Sequence, residues 1–121
     1  MHVLIVQESQ PLATLWGDHL RRHGCEVTWV DTEEAAIRIL RASDVQVIVL
    51  DLVLSQGSAF SVADFASYRQ PDAKVVFVTN TTFFSDGSIF QHAPNACAFL
   101  QSHTPVEDLG AVVQHYGSRA P

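Results

Sequence analysis

Five polar residues follow or close apolar, strand-like runs, and their types are the ones that could do chemistry. Gln7 and Glu8 follow Val3-Leu4-Ile5-Val6. Asp51 closes Val45-Gln46-Val47-Ile48-Val49-Leu50. Thr79 closes Val75-Val76-Phe77-Val78, and Ser102 follows Cys97 to Gln101. In open α/β sheets, ligands bind outside the carboxyl ends of the strands. A carboxylate such as Asp51 therefore stands where a functional acid would stand. The plainer role for it is an acid that caps a turn or a helix, and its neighbours decide between the two.

The elements that must position these residues read as alternating strands and helices. Val45 to Asp51 is rich in β-branched residues and too short for a typical helix. It is apolar on both faces, like a strand buried at the centre of a parallel sheet. Val3–Val6 and Val75–Val78 share that pattern, while Glu26 to Val30 alternates and belongs nearer an edge. Ser9-Gln10-Pro11 opens a helix to about residue 23, with Leu12, Leu15, Trp16 and Leu20 as its apolar stripe and Gly24 as its stop. Asp31-Thr32-Glu33-Glu34 starts a second helix that turns Ala35, Ala36, Ile39 and Leu40 inward.

Gly57, in the loop after Asp51, suits a left-handed turn. A third helix covers 59–69 with Val62, Phe65 and Ala66, and Gln70-Pro71-Asp72 ends it. A fourth covers 86–92, with Phe83, Phe84 and Phe90 as core by default. Thr104-Pro105-Val106-Glu107 starts a fifth helix, with Thr104 as cap and Glu107 closing the box; it runs to about Tyr116. Strand-helix repetition of this kind gives a doubly wound parallel α/β sheet with helices on both faces. Residues 1–117 form one domain, and 118–121 read as a tail.

Bulk properties exclude several functions. The 121 residues carry a net charge of −6 with only seven Lys and Arg, which argues against a nucleic-acid groove or an anionic membrane surface. The apolar fraction of 47% supports a folded globule. No apolar run is long enough to span a membrane, and no basic segment precedes Val3, so the expected compartment is the cytoplasm. Cys25 and Cys97 show no framework spacing and read as reduced. Gln7 to Trp16 contains no Gly, which disfavours a dinucleotide site. His19 and His23 have metal-ligand spacing on one helix face, but without a third ligand they read as solvated.

Taken in order, the strand-end motifs resemble those of the receiver domains of two-component response regulators, and the resemblance covers essentially the whole chain. Leu4-Ile5-Val6-Gln7-Glu8 matches the first motif, with Gln7 in place of the leading acid. Val49-Leu50-Asp51 followed by Gly57 matches the second, and Val78-Thr79-Asn80 the third. Phe99-Leu100-Gln101-Ser102-His103 matches the fourth in outline: Phe99 holds the aromatic position, Ser102 stands where the family has Lys, and His103 where it has Pro. Leu109, seven residues after Ser102, supports that register.

The resemblance implies a flavodoxin-like sheet of five parallel strands in the order 2-1-3-4-5 with five helices. It implies that Asp51 accepts a phosphoryl group from a histidine kinase or phosphotransfer protein. Glu8, Asp51 and the Val53 carbonyl would hold Mg2+, with Gln7 as an uncharged stand-in able to bond a metal-bound water. Thr79 would bind the phosphoryl oxygen, and Phe99 would act as the switch aromatic. Ser102 cannot replace the charge of the Lys, and losing one charge-assisted contact costs roughly 1.5–3 kcal/mol. That loss would slow phosphorylation or uncouple it from a conformational response, while Gln7, which brings no charge, leaves magnesium binding weak. A protein partner would dock on the face of the fourth helix, fifth strand and fifth helix, and a homodimer is also open. The implied role is signalling rather than enzymatic turnover. Two alternatives stay open: a phosphorylation-independent interaction module, favoured by Gln7 and Ser102, and a small-molecule or hydrolytic domain with a ligand-sized pocket over the strand ends.

Overall fold

The computed structural model describes residues 1–80 and 95–117. Within them, β1 (His2–Val6), α1 (Gln10–Arg22), β2 (Glu26–Val30), α2 (Glu33–Ala42), β3 (Val47–Asp51), α3 (Ala59–Arg69), β4 (Lys74–Thr79), β5 (Ala96–Gln101) and α4 (Val106–Gly117) follow one another. The strands form one parallel sheet in the order β2-β1-β3-β4-β5. This is the expected flavodoxin-like order, with β2 at an edge. Four helices lie among the described residues; the expected helix over 86–92, with Phe83, Phe84 and Phe90, falls outside them, as does the tail.

The apolar strands are interior because both their faces are covered. Val3, Ile5, Val47, Val49, Val76 and Val78 pack under α1 and α4 with Trp16, Leu20, Leu109 and Val113. Leu4, Val6, Ile48, Leu50, Val75 and Phe77 pack under α2 and α3 with Ala36, Leu40, Val62 and Ala66. Alternation along each strand thus feeds two cores. Cys25 is buried and Cys97 half-buried, and both are free thiols, as expected. Burial pushes the Cys97 thiol up to about 11, which leaves it a poor nucleophile at neutral pH.

The helix starts are chemical. Ser9, Thr32 and Ser58 each accept from a backbone N–H of the first turn, from Leu12, Ala35 and Ser61 respectively. Gly24 and Gly57 take positive φ values of 89° and 101°. Gly57 also lies against α2: a Cβ there would sit 2.4 Å from Glu33 Cβ.

Two details differ from the sequence expectation. Leu15 is 48% exposed, because the buried stripe of α1 runs through Ala13, Trp16, Gly17 and Leu20. A residue adjacent to Trp16 in sequence is rotated about 100° away from that stripe. In α4 the Pro105 carbonyl accepts from Leu109 N–H at 3.1 Å, so the helix begins at Val106 and Thr104 lies one residue before the cap position.

The two α1 side chains separate in stability. Trp16→Ala is expected to destabilise by about 3–5 kcal/mol through loss of a buried ring. Leu15→Ala is expected to stay within about 0.5 kcal/mol. Urea unfolding followed by circular dichroism measures both.

Candidate functional site

The sheet register assembles the site. Val6 pairs with Leu50, so one further step along each strand brings Gln7 beside Asp51. Asp51 pairs with Val78, and Thr79 pairs with Gln101. Gln7, Asp51 and Thr79 therefore sit at the carboxyl ends of three adjacent strands, with Glu8 one residue further on.

Asp51 is half-buried. Its Oδ1 accepts from the Val53 N–H at 2.9 Å, which bends the chain away from β3. Burial raises the carboxyl above its usual range; the Val53 N–H and then the Gln7 amide work against that, and the Glu8 charge adds to it. Thr79 is fully buried at the end of β4, and its carbonyl accepts from Ser102 N–H at 2.8 Å. Ser102 thus sits beside Thr79, while His103 is exposed. Phe99 lies opposite Phe77 on β4, half-buried against the core under α2 and α3. Val53 is 62% exposed on the loop after β3.

Glu8 is exposed, but one of its oxygens is engaged. Glu8 Oε2 accepts from Ser55 N–H at 3.0 Å and from the Ser55 hydroxyl. Glu33 Oε1 accepts from Ser58 N–H at 2.7 Å further along the same loop. The β3–α3 loop is therefore held at both ends by acids from other elements. Neither contact could be read from the sequence, since each joins residues far apart in the chain.

Gln7 differs most from its expected role. It is only 2% exposed. Its Oε1 accepts from Ser9 N–H at 3.0 Å, and its backbone carbonyl accepts from Trp29 Nε1 at 2.7 Å. A backbone N–H can only donate, so this bond fixes which way the amide faces. Nε2 is buried without a hydrogen bond among the described residues, close enough to Asp51 to hold its carboxyl down yet outside hydrogen-bond geometry.

Gln7 does not fit its place in the magnesium site that the sequence resemblance implies. Hard cations take oxygen ligands. Gln7 offers its nitrogen, its oxygen being used by Ser9, and a metal-bound water presents hydrogens that an N–H cannot accept. Glu8 and Asp51 each have one oxygen accepting from the backbone and keep the other. Among the described residues no group of three or more His, Cys, Asp or Glu could hold a metal ion. That includes His19 and His23, whose rings stack 4.4 Å apart while His23 Nδ1 pairs with the His19 carbonyl at 2.9 Å. A cavity of about 810 Å³ lies beside α2 and is lined by Glu33, Arg38, Arg41 and Gln56. It does not lie over the strand ends.

A model of the response regulator receiver domain matches residues 3–97. Solved structures of the same fold include a signal receiver domain from Vibrio parahaemolyticus, 24% identical, covering 98% of this chain and 90% of that one, with a TM-score of 0.86. A CheY-like receiver domain from Methanospirillum hungatei is 17% identical over 97% of this chain and 93% of that one, with a TM-score of 0.88. The response regulator TrrA from Thermotoga maritima, solved with Mg2+ and BeF, is 17% identical over 95% of this chain and 97% of that one, with a TM-score of 0.82. No curated protein matches the chain.

The Asp51 environment predicts a pH signature. A raised carboxyl means that the unfolded chain loses this proton first as pH rises, so the native state is penalised from the ordinary carboxylate range upward. Asp51→Asn, which keeps an acceptor for Val53 N–H, should melt higher than wild type at neutral pH. The gap should close as pH falls below the ordinary carboxylate range. Melting curves across acid and neutral pH read it.

Proposed function

The chain belongs to the response regulator receiver domain family, and from that premise we propose that it signals by accepting a phosphoryl group on Asp51 from a histidine kinase or phosphotransfer protein. The observation that carries this reading is Asp51 at the end of β3, flanked by Gln7 and Glu8 after β1 and by Thr79 on β4. One carboxylate oxygen is held by Val53 N–H, which orients the other for attack. That oxygen forms the new P–O bond. The P–N bond to the donor imidazole breaks, and its electron pair stays on the imidazole nitrogen, which takes up a proton. Thr79 and Ser102 supply hydroxyls beside the phosphoryl group.

The charge pattern also limits the partners. A net charge of −6 favours a protein partner over nucleic acid, and among the described residues no helix is long and apolar enough to cross a membrane. The face that would signal includes β5, with Phe99, and α4. Ser102, where the family has Lys, favours a second reading in which the domain binds its partner without phosphorylation. One experiment separates the two.

The chain is incubated with acetyl phosphate or a phosphohistidine donor and its intact mass is measured. An acid-labile phosphoryl adduct is expected in wild type and absent in Asp51→Asn. An adduct that persists in Asp51→Asn, or none with any donor, rejects the acceptor reading and leaves the phosphorylation-independent one. Ser102→Lys supplies a charge-assisted contact of about 1.5–3 kcal/mol, so phosphoryl occupancy at equal donor should rise roughly tenfold or more.

A further inference from the structure

Three observations on Gln7 converge. It is 98% removed from solvent, being 2% exposed. Its oxygen is committed to Ser9 N–H at 3.0 Å, so its nitrogen faces the Asp51 side. That nitrogen has no hydrogen-bond partner among the described residues. A buried donor without an acceptor is costly. Here its N–H2 group lies toward the Asp51 carboxylate, where it can meet an oxygen after a small movement. An amide N–H2 carries partial positive charge and does not ligate a hard cation.

We propose that Gln7 is a positioning residue that does a cation's work in this receiver. Its N–H2 group holds the Asp51 carboxylate before transfer and a phosphoryl oxygen after it, and the same group keeps a divalent cation out. The phosphoryl half rests on Asp51 being the acceptor; the exclusion of the cation does not. In transfer from acetyl phosphate, an Asp51 oxygen forms a bond to phosphorus. The phosphorus–oxygen bond to the acetyl group breaks, and acetate leaves with the pair. Asp51 reacts as a carboxylate, so no proton moves.

The test uses the full chain as wild type, Gln7→Glu and Gln7→Leu, each checked for folding by far-UV circular dichroism. Gln7→Glu preserves shape and the acceptor for Ser9, and changes only the N–H2 group into a carboxylate oxygen. MgCl2 is titrated against melting temperature and Trp29 fluorescence, since the Trp29 indole is bonded to the Gln7 carbonyl. Wild type should be unmoved up to millimolar Mg2+, and Gln7→Glu should bind about tenfold tighter or better, from a full added charge beside the Asp51 carboxylate. Sub-millimolar binding by wild type, or no gain in Gln7→Glu, overturns the exclusion.

Acetyl phosphate loading is then followed by intact mass with Mg2+ or with EDTA. Wild-type rates should agree within about threefold, Gln7→Leu should be about tenfold slower or more, and Gln7→Glu should load well only with Mg2+. A tenfold or larger loss in wild type with EDTA, or undiminished loading in Gln7→Leu, overturns the positioning role. If no form is phosphorylated while the Mg2+ titrations behave as stated, Asp51 as acceptor is what fails and the exclusion of the cation stands.

Discussion

The parallel pairing of β1 with β3 is the constraint on which the site depends. Val3 to Val6 lie against Val47 to Leu50, all of them buried. A slip of one residue would turn every side chain to the opposite face and empty both cores. The pairing therefore cannot drift, and its first polar positions, Gln7 and Asp51, are brought side by side. β4 extends the same logic to Thr79. Burial of apolar side chains thus sets the positions of polar groups that gain nothing from burial themselves.

The consequence is a site under electrostatic tension. Asp51 is partly desolvated beside Glu8, which disfavours its charge, and only the Val53 N–H and the Gln7 amide act against that. In the family motif the position of Gln7 is an acid, which would add to the repulsion and draw in a cation. An amide with its oxygen tied to Ser9 presents the opposite polarity. Gln7 and Ser102 are thus not equivalent departures from the motif. One exchanges an acceptor for a donor at the core of the site, and the other removes a full positive charge from its rim.

The loop after β3 owes its course to contacts from elsewhere. Ser55 is held by Glu8, Ser58 by Glu33, and Gly57 lets the backbone pass close to α2. The Asp51 carboxylate and the second helix are thereby joined through one short segment. Val53 and Ser55 to Ser58 are exposed, and Leu54 packs against the core under α2 and α3.

Much of this protein was legible in its sequence, because the signals are local. The β-branched runs specify buried strands, Ser9, Thr32 and Ser58 start helices, and Gly24 and Gly57 mark turns. Polar residues at strand ends, with a right-handed parallel fold, suffice to nominate Glu8, Asp51 and Thr79. Sequence could not orient an amide. Whether Gln7 shows oxygen or nitrogen to Asp51 depends on a backbone N–H two residues away and on burial of the whole group. Nor could it show which side of α1 leaves Leu15 in solvent, since that depends on where the sheet lies. Residue type and spacing determined that Asp51 stands at the carboxyl end of a buried strand. Tertiary structure decided what faces it, because hydrogen-bond polarity is set by partners that folding brings together.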